Sequence, residues 1–453
     1  MSDRTQELAA KDKQYCWHPF TQMEDWLAEQ PLVIERGEGT TLYDTDGNAY
    51  IDGVSSLWCN IHGHRRPEID GAIRRQLDRV AHSTMLGLSG PPPIELAERL
   101  GRITPAGLSK VFYSDSGSEA MEIALKIAFQ YWRQAAGETR PLFVALEGGY
   151  HGDTIGSVSL GGIPLFHDVY RPLLFETVRA PSPHPYRSTY GPDPDRTRQG
   201  CLDAMDALLD EHGGEVAAVV VEPLVQGAAG IFVHPTGYLS GVRELCDRHG
   251  VLLICDEVAV GFGRTGKMFA CQHEAVRPDI LAVGKGLTGG YLPLAATLTT
   301  DRVYEAFLGE YEEFRTFFHG HTYTGNALAC AAALASLDVF EKDRTLDRIQ
   351  PRIEQLARRL EAFAELEHAG DVRRRGLIAA VELVRDRRTK EDYEPREKVG
   401  IRVTQAARGR GLITRPLGNV IVIMPPLVIG EETLDRMLDI LYESIREVTT
   451  SVY

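Results

Sequence analysis

The sequence predicts an α/β protein: a large domain on a mostly parallel central sheet, and a smaller α+β domain built from both termini. Three observations predict it. From about residue 66 to 325, short β-branched runs alternate with helical periods, the rhythm of strands joined through crossover helices. Before that, Leu32–Gly53 reads as a small antiparallel unit. From about 341 the order becomes helix, strand, helix, two strands, helix, with a more basic character at Arg358, Arg359 and Arg373–Arg375. The expected division is therefore 1–65 as an N-terminal segment joining the small domain, 66–340 as the large domain and 341–453 as the small one.

Taken in order, Met1–Gln14 is charged and has no apolar core of a signal peptide. Thr41–Tyr43 and Ala49–Ile51 flank Asp46-Gly47, a tight-turn signal that predicts a hairpin. Pro91–Pro93 reads as a stop before a helix at Ile94–Leu100. Strands are predicted at Val111–Ser114, Leu142–Leu146, Val216–Glu222, Val251–Val258, Ile280–Val283 and Leu294–Thr299. Helical patterns fall at Ser118–Arg133, Gly237–Arg248 and Gly325–Phe340. In such a sheet, ligands belong at the carboxyl ends of the strands.

Bulk properties narrow the function. With 453 residues, 43% of them hydrophobic, the chain can bury a sizeable core. A net charge of −15 opposes phosphate backbones and so a nucleic-acid partner. No apolar run approaches the roughly 18–20 residues of a membrane span. Seven scattered cysteines, with no C-x-x-C, fit a reducing cytoplasm.

The most informative pair is Asp256, closing the run Val251–Val258, and Lys285, between glycines after Ile280–Val283. A buried carboxylate and a buried amine are each costly. Pyridoxal 5′-phosphate (PLP) chemistry uses both: the lysine binds the cofactor's aldehyde and the acid holds the pyridine nitrogen protonated. A structural ion pair is the alternative. Ser114-Asp-Ser-Gly-Ser118 follows a strand and opens a helix, an anion site suited to one phosphate or a plain serine cap. Glu147–Asp153 is a glycine-rich loop whose Tyr150 can stack on a flat ring. Gly261–Lys267 nearly matches a P-loop, but Met268 stands where a magnesium-binding hydroxyl is required. Arg264 within it is a guanidinium near the Asp256 strand end. His62-Gly-His64 and His319-Gly-His321 lack further ligands at convincing spacing, so no metal is expected. Arg415, before the strand Val420–Met424, offers a guanidinium for a carboxylate.

Together with Trp17–Met23, Ser55–His64, His82–Met85, Phe129–Trp132, Thr414–Pro416 and Met424–Pro426, these segments resemble the class III (fold type I) PLP-dependent aminotransferases over nearly the whole chain. The tryptophan-bearing N-terminal segments and Arg415 resemble the branch of that family serving biotin biosynthesis. The resemblance implies an aminotransferase that passes nitrogen from a small-molecule amine donor to an oxo-acid, 8-amino-7-oxononanoate. It implies that Lys285 carries the cofactor and moves the proton, that Asp256 pairs with the ring nitrogen, and that Tyr150 and Val258 cover its two faces. It further implies cofactor contacts from His151 and Glu222, and a phosphate held by Gly117, Ser118 and Thr322 of the partner subunit, hence a homodimer with a shared active site. Substrate would meet Phe20, Leu57, Trp58, Asp153, Arg264, Gly320 and Arg415.

Two positions depart from the adenosylmethionine-using pattern, which commonly has Tyr at Phe20 and Trp at Leu57. Some relatives of that family carry this Phe and use lysine, so lysine is the first expectation for the donor and S-adenosylmethionine the second. The rival within the family acts on ornithine, 4-aminobutyrate or ω-amino acids. Its pattern has a glutamate in the segment that here reads Gln226-Gly-Ala-Ala-Gly230, and an arginine where Val422 stands. An aminomutase or decarboxylase on the same scaffold is the more distant alternative.

Overall fold

The computed structural model describes residues 1–450. After an N-terminal helix, Asp3–Tyr15, the strands β1 (Ile34–Glu38), β2 (Thr41–Asp44) and β3 (Ala49–Asp52) form an antiparallel meander. Asp44 ties its turn by accepting from the backbone of Asp46 and Asn48, with Gly47 at φ 86°.

The central sheet takes β4 (Leu108–Ser114), β5 (Leu142–Leu146), β6 (Val178–Ala180) and β7 (Val216–Val221). After a short hairpin of β8 (Val225–Gln226) and β9 (Phe232–Val233), it continues with β10 (Leu252–Asp256), β11 (Ile280–Val283) and β12 (Ala295–Thr300). The strand order is β4-β12-β11-β10-β7-β5-β6, and only β12 runs against the rest. β7, β10 and β11 are buried throughout, as expected of strands covered on both faces. The helix Gly117–Ala135 lies on one face through Met121, Ala124 and Ala128.

The remaining strands are β13 (Ala369–Arg375), β14 (Ile378–Leu383), β15 (Leu412–Ile413), β16 (Pro416–Leu417) and β17 (Val420–Ile423). Four of them form the sheet β13-β14-β17-β16, and β15 instead pairs in parallel with β3. The strand expected between two helices after residue 341 is thus a hairpin, folded at Gly376.

One local expectation is overturned. Pro91–Pro93 do not precede a helix but are its first turn, in Pro91–Ile103. The first N–H groups of a helix have no acceptor within it, so proline loses nothing there. Among the described residues, no helix is long and apolar enough to cross a membrane.

Candidate functional site

The carboxyl ends of β4, β5, β7, β10 and β11 open onto one cavity of about 460 Å³. A larger groove, about 590 Å³, runs beside Phe129, Phe143 and Phe175, but it contains neither the lysine nor its acid, so size alone does not mark the site. The 460 Å³ cavity brings together Gly117, Ser118, Tyr150, His151, Asp153, Glu222, Asp256, Val258, Lys285 and Trp58 from the sequence expectation. Ser116, Gly152 and Thr154 also line it, and sequence reading had not singled them out.

At the floor, Asp256 closes β10. Its Oδ2 is 2.8 Å from His151 Nδ1, and its Oδ1 accepts from the Val258 N–H at 3.0 Å. The carboxylate is therefore oriented by a buried histidine, not by Lys285. A direct Lys285–Asp256 ion pair, the structural alternative, is not formed. Lys285 itself faces the cavity, with a left-handed φ of 41°, and its Nζ stands 5.1 Å from the centre of the Trp58 ring. Burial pushes its pKa down, against the opposing pull of Asp256 and Glu222. Glu222 accepts from the Tyr150 N–H at 3.0 Å and the Gly227 N–H at 2.8 Å, and burial raises its pKa to about 7.

The walls come from two loops. Tyr150 donates its hydroxyl proton to Asp153 at 2.7 Å, and burial followed by that carboxylate raises its pKa. Val258 stands so close to Gly117 that a Cβ there would lie 2.5 Å from its Cγ1, which is why glycine opens the helix. The helix cap is Ser116, in a reciprocal capping box with Glu119. Ser118 is therefore free for the cavity side, where its hydroxyl meets Thr154 Oγ1 at 2.8 Å and accepts from the Thr154 N–H at 3.0 Å. Gly152, at φ 119°, makes room for that serine. The N–H groups of Gly117 and Ser118 have no acceptor within the helix.

These residues fit pyridoxal phosphate. An amine without a salt bridge, a braced carboxylate, an aromatic and an aliphatic wall, and an open helix N-terminus surround a cavity of cofactor size. Lys285, Asp256, Tyr150, Val258, Gly117 and Ser118 would hold it.

The outer substrate residues are more dispersed. Arg415 follows β15 and is half-buried. Burial lowers its pKa, and the nearby Tyr150 is the group that opposes that shift. Its guanidinium lies 5.9 Å from the Phe20 ring, which packs edge-on against Phe166 at 5.3 Å. Phe20 and Leu57 are each about half exposed. Gly320 and Thr322 are exposed and lie outside their own chain's cavity.

Arg264 departs from expectation. It is 1% exposed and donates to the carbonyls of Pro425 (2.6 Å), Asn60 (3.0 Å) and Trp58 (3.3 Å). Gly263 and Gly266, both at positive φ, fold the P-loop-like segment back as a turn, and the arginine ties it to the Trp58–Asn60 and Pro425 segments behind the pocket instead of lining it. The histidine pairs are likewise absorbed locally: His62 meets Ser336 Oγ at 2.9 Å, His64 meets Asp52 at 3.0 Å, and His319 and His321 meet each other at 3.2 Å.

The model of the aminotransferase class-III family matches residues 23–445. The adenosylmethionine-8-amino-7-oxononanoate aminotransferase of Nitratidesulfovibrio vulgaris is 60% identical over 450 residues, covering 99% of this chain and 83% of that protein. The crystal structure of the enzyme of that name from Methanocaldococcus jannaschii is 48% identical, with a TM-score of 0.93, over 98% of this chain and 99% of that one. An omega transaminase from Pseudomonas jessenii, solved in complex with PMP, is 31% identical with a TM-score of 0.94, over 98% and 99%.

Proposed function

The chain belongs to the class-III aminotransferases, and from that premise we propose that it converts 8-amino-7-oxononanoate to 7,8-diaminononanoate in biotin biosynthesis. It is a PLP-dependent transaminase. The observation that carries the reading is the meeting of Lys285 and Asp256 on one cavity, without an ion pair between them. The 60% identity to a protein named for this substrate supports the choice within the family.

When bound, pyridoxal phosphate supplies an aldehyde to receive the amine and a ring that takes up the electrons released at the donor carbon. Lys285 anchors it. Burial lowers its pKa and so favours the neutral amine, the form that would take the proton from the donor carbon and later return one to the acceptor carbon. Asp256, held by His151, presents its carboxylate to a ring N–H. Gly117 and Ser118 would offer backbone N–H groups to its phosphate, and Tyr150 and Val258 would flank its ring. Arg415 receives the carboxylate of the oxo-acid.

Lysine is placed first as donor and S-adenosylmethionine second. The relatives' names carry adenosylmethionine, whereas Phe20 and Leu57 lack the hydroxyl and the indole of that pattern. The Gly320–Thr322 loop, exposed beside Phe318 and Tyr323, is suited to complete the phosphate site of a second copy, so the active unit is a homodimer. The cytoplasm, where the free cysteines stay reduced, is its compartment. Likeness to an omega transaminase keeps that rival in view, but Ala228, where that pattern has its glutamate, and the buried Val422 supply no charge for a second carboxylate.

A donor panel tests the proposal: purified protein, 8-amino-7-oxononanoate, and lysine, S-adenosylmethionine, ornithine or alanine in turn. Diaminononanoate should form with lysine or S-adenosylmethionine. Turnover confined to ornithine or alanine with pyruvate or 2-oxoglutarate would replace this reading by the rival.

A further inference from the structure

Ser55, Ser56, Leu57 and Trp58 have φ values of 51°, 49°, 81° and 69°. Four successive residues, none of them glycine, lie in the left-handed region. The Trp58 N–H donates to Val54 O at 2.8 Å and the Cys59 N–H to Ser55 O at 3.1 Å, closing one turn of left-handed helix. L-residues resist this turn because Cβ crowds the following carbonyl. Such strain persists only where the surroundings over-determine it, and it concentrates at functional sites.

The determinants are identifiable. Asp52, fully buried at the end of β3, accepts the Ser56 N–H on Oδ1 and the Ser56 hydroxyl on Oδ2, each at 2.8 Å. His64 Nε2 lies 3.0 Å from Oδ2 and holds the carboxylate from the far side. The Ser55 hydroxyl donates to Met424 O at 2.6 Å, pinning the turn to the C-terminal lobe. What the turn delivers is Trp58: its indole, 6% exposed, lines the cavity with the Lys285 Nζ 5.1 Å from its centre. Gly227 leaves room for the ring, since a Cβ there would come within 3.0 Å of it. Right-handed φ values at these residues would carry no such strain.

We propose that Asp52 is a positioning residue of the transamination, acting through Ser56 to hold the left-handed turn and so the Trp58 face against the Lys285 amine. The inference rests on the proposed function for its kinetic consequence, though not for its structural one. The carboxylate lies outside the cavity lining and acts by setting where the indole stands.

The test uses the holoenzyme labelled with 5-fluorotryptophan, the Trp58 signal being the ¹⁹F resonance that disappears in Trp58→Phe. In Asp52→Asn, that resonance should shift or broaden while those of Trp17, Trp26 and Trp132 stay in place. Cofactor content should hold, and kcat/KM for 8-amino-7-oxononanoate should fall at least tenfold. Ser56→Gly added to Asp52→Asn should bring the resonance back and restore kcat/KM to within about threefold of the parent, because glycine adopts the turn without an anchor. An unmoved Trp58 resonance, a moved one with unchanged kinetics, or failure of the glycine rescue would each overturn the proposal. Should Asp52→Asn not fold, Ser56→Ala removes one of the two bonds; it must then move the resonance and cost at least threefold, and a silent Ser56→Ala would be equally fatal. If the parent itself makes no diaminononanoate, the function fails while the ¹⁹F result stands on its own.

Discussion

Arg415→Met isolates the carboxylate-binding role. The guanidinium is half-buried, has Tyr150 and Phe20 as neighbours, and burial already lowers its pKa. A guanidinium so placed gains most when an anion arrives. A hydrogen bond to a charged group contributes about 1.5–3 kcal/mol. At 1.36 kcal/mol per decade, that corresponds to a loss of roughly 10- to 150-fold in kcat/KM for the oxo-acid. The loss should sit in KM, because the carboxylate is remote from the reacting carbon and binds alike in ground and transition states. The assay compares 8-amino-7-oxononanoate with its methyl ester. The parent should prefer the acid by the same 10- to 150-fold, and the variant should be nearly indifferent. Thermal stability should not fall, since the change removes a half-buried charge. A variant that still discriminates acid from ester would refute the role, whatever its absolute rate.

Three further outcomes are expected. Lys285→Ala should lower kcat by at least the roughly 10²–10⁴-fold of a lost proton-transfer group, and borohydride should trap the cofactor on Lys285 of the parent, as read by peptide mass. His151→Phe retains an aromatic ring but removes the 2.8 Å partner of Asp256, so kcat should fall roughly 5- to 150-fold, the worth of 1–3 kcal/mol; steady-state rates at matched cofactor content check it. Glu257, fully buried, accepts from the N–H groups of Ala270 and Cys271, and burial raises its pKa from 4.5 to about 7. Its folded pKa lies above the unfolded one, so its contribution is fully present below 4.5 and is lost as pH rises through about 7. Relative to Glu257→Gln, the parent should lose about 3 kcal/mol between those pH values, measurable as a pH-dependent difference in melting; parallel melting curves would contradict it.

The predicted strands of the central sheet lie where their apolar runs stand, because a strand covered on both faces must be hydrophobic along its length. Lys285, Asp256 and Tyr150, which line one cavity, stand out in the sequence for a related reason: a titratable or aromatic group at the end of such a run has few structural uses. Arg264 misled because its sequence neighbours describe a loop, while its acceptors, Trp58, Asn60 and Pro425, come from two distant segments. His151 was named without its task, which depends on Asp256, 105 residues further on.

What the sequence determined by itself was the alternation of buried strands and helices, the strand-end chemistry, and the family those features resemble. Only the tertiary structure decided that Asp256 is braced by His151, that Ser116 caps the helix and frees Ser118, and that Ser55–Trp58 winds left-handed. The physical reason is separation along the chain. Periodicity and strand-end polarity are local, whereas a turn costing roughly 1–2 kcal/mol per residue is held by Asp52 and Met424, groups brought together only by folding.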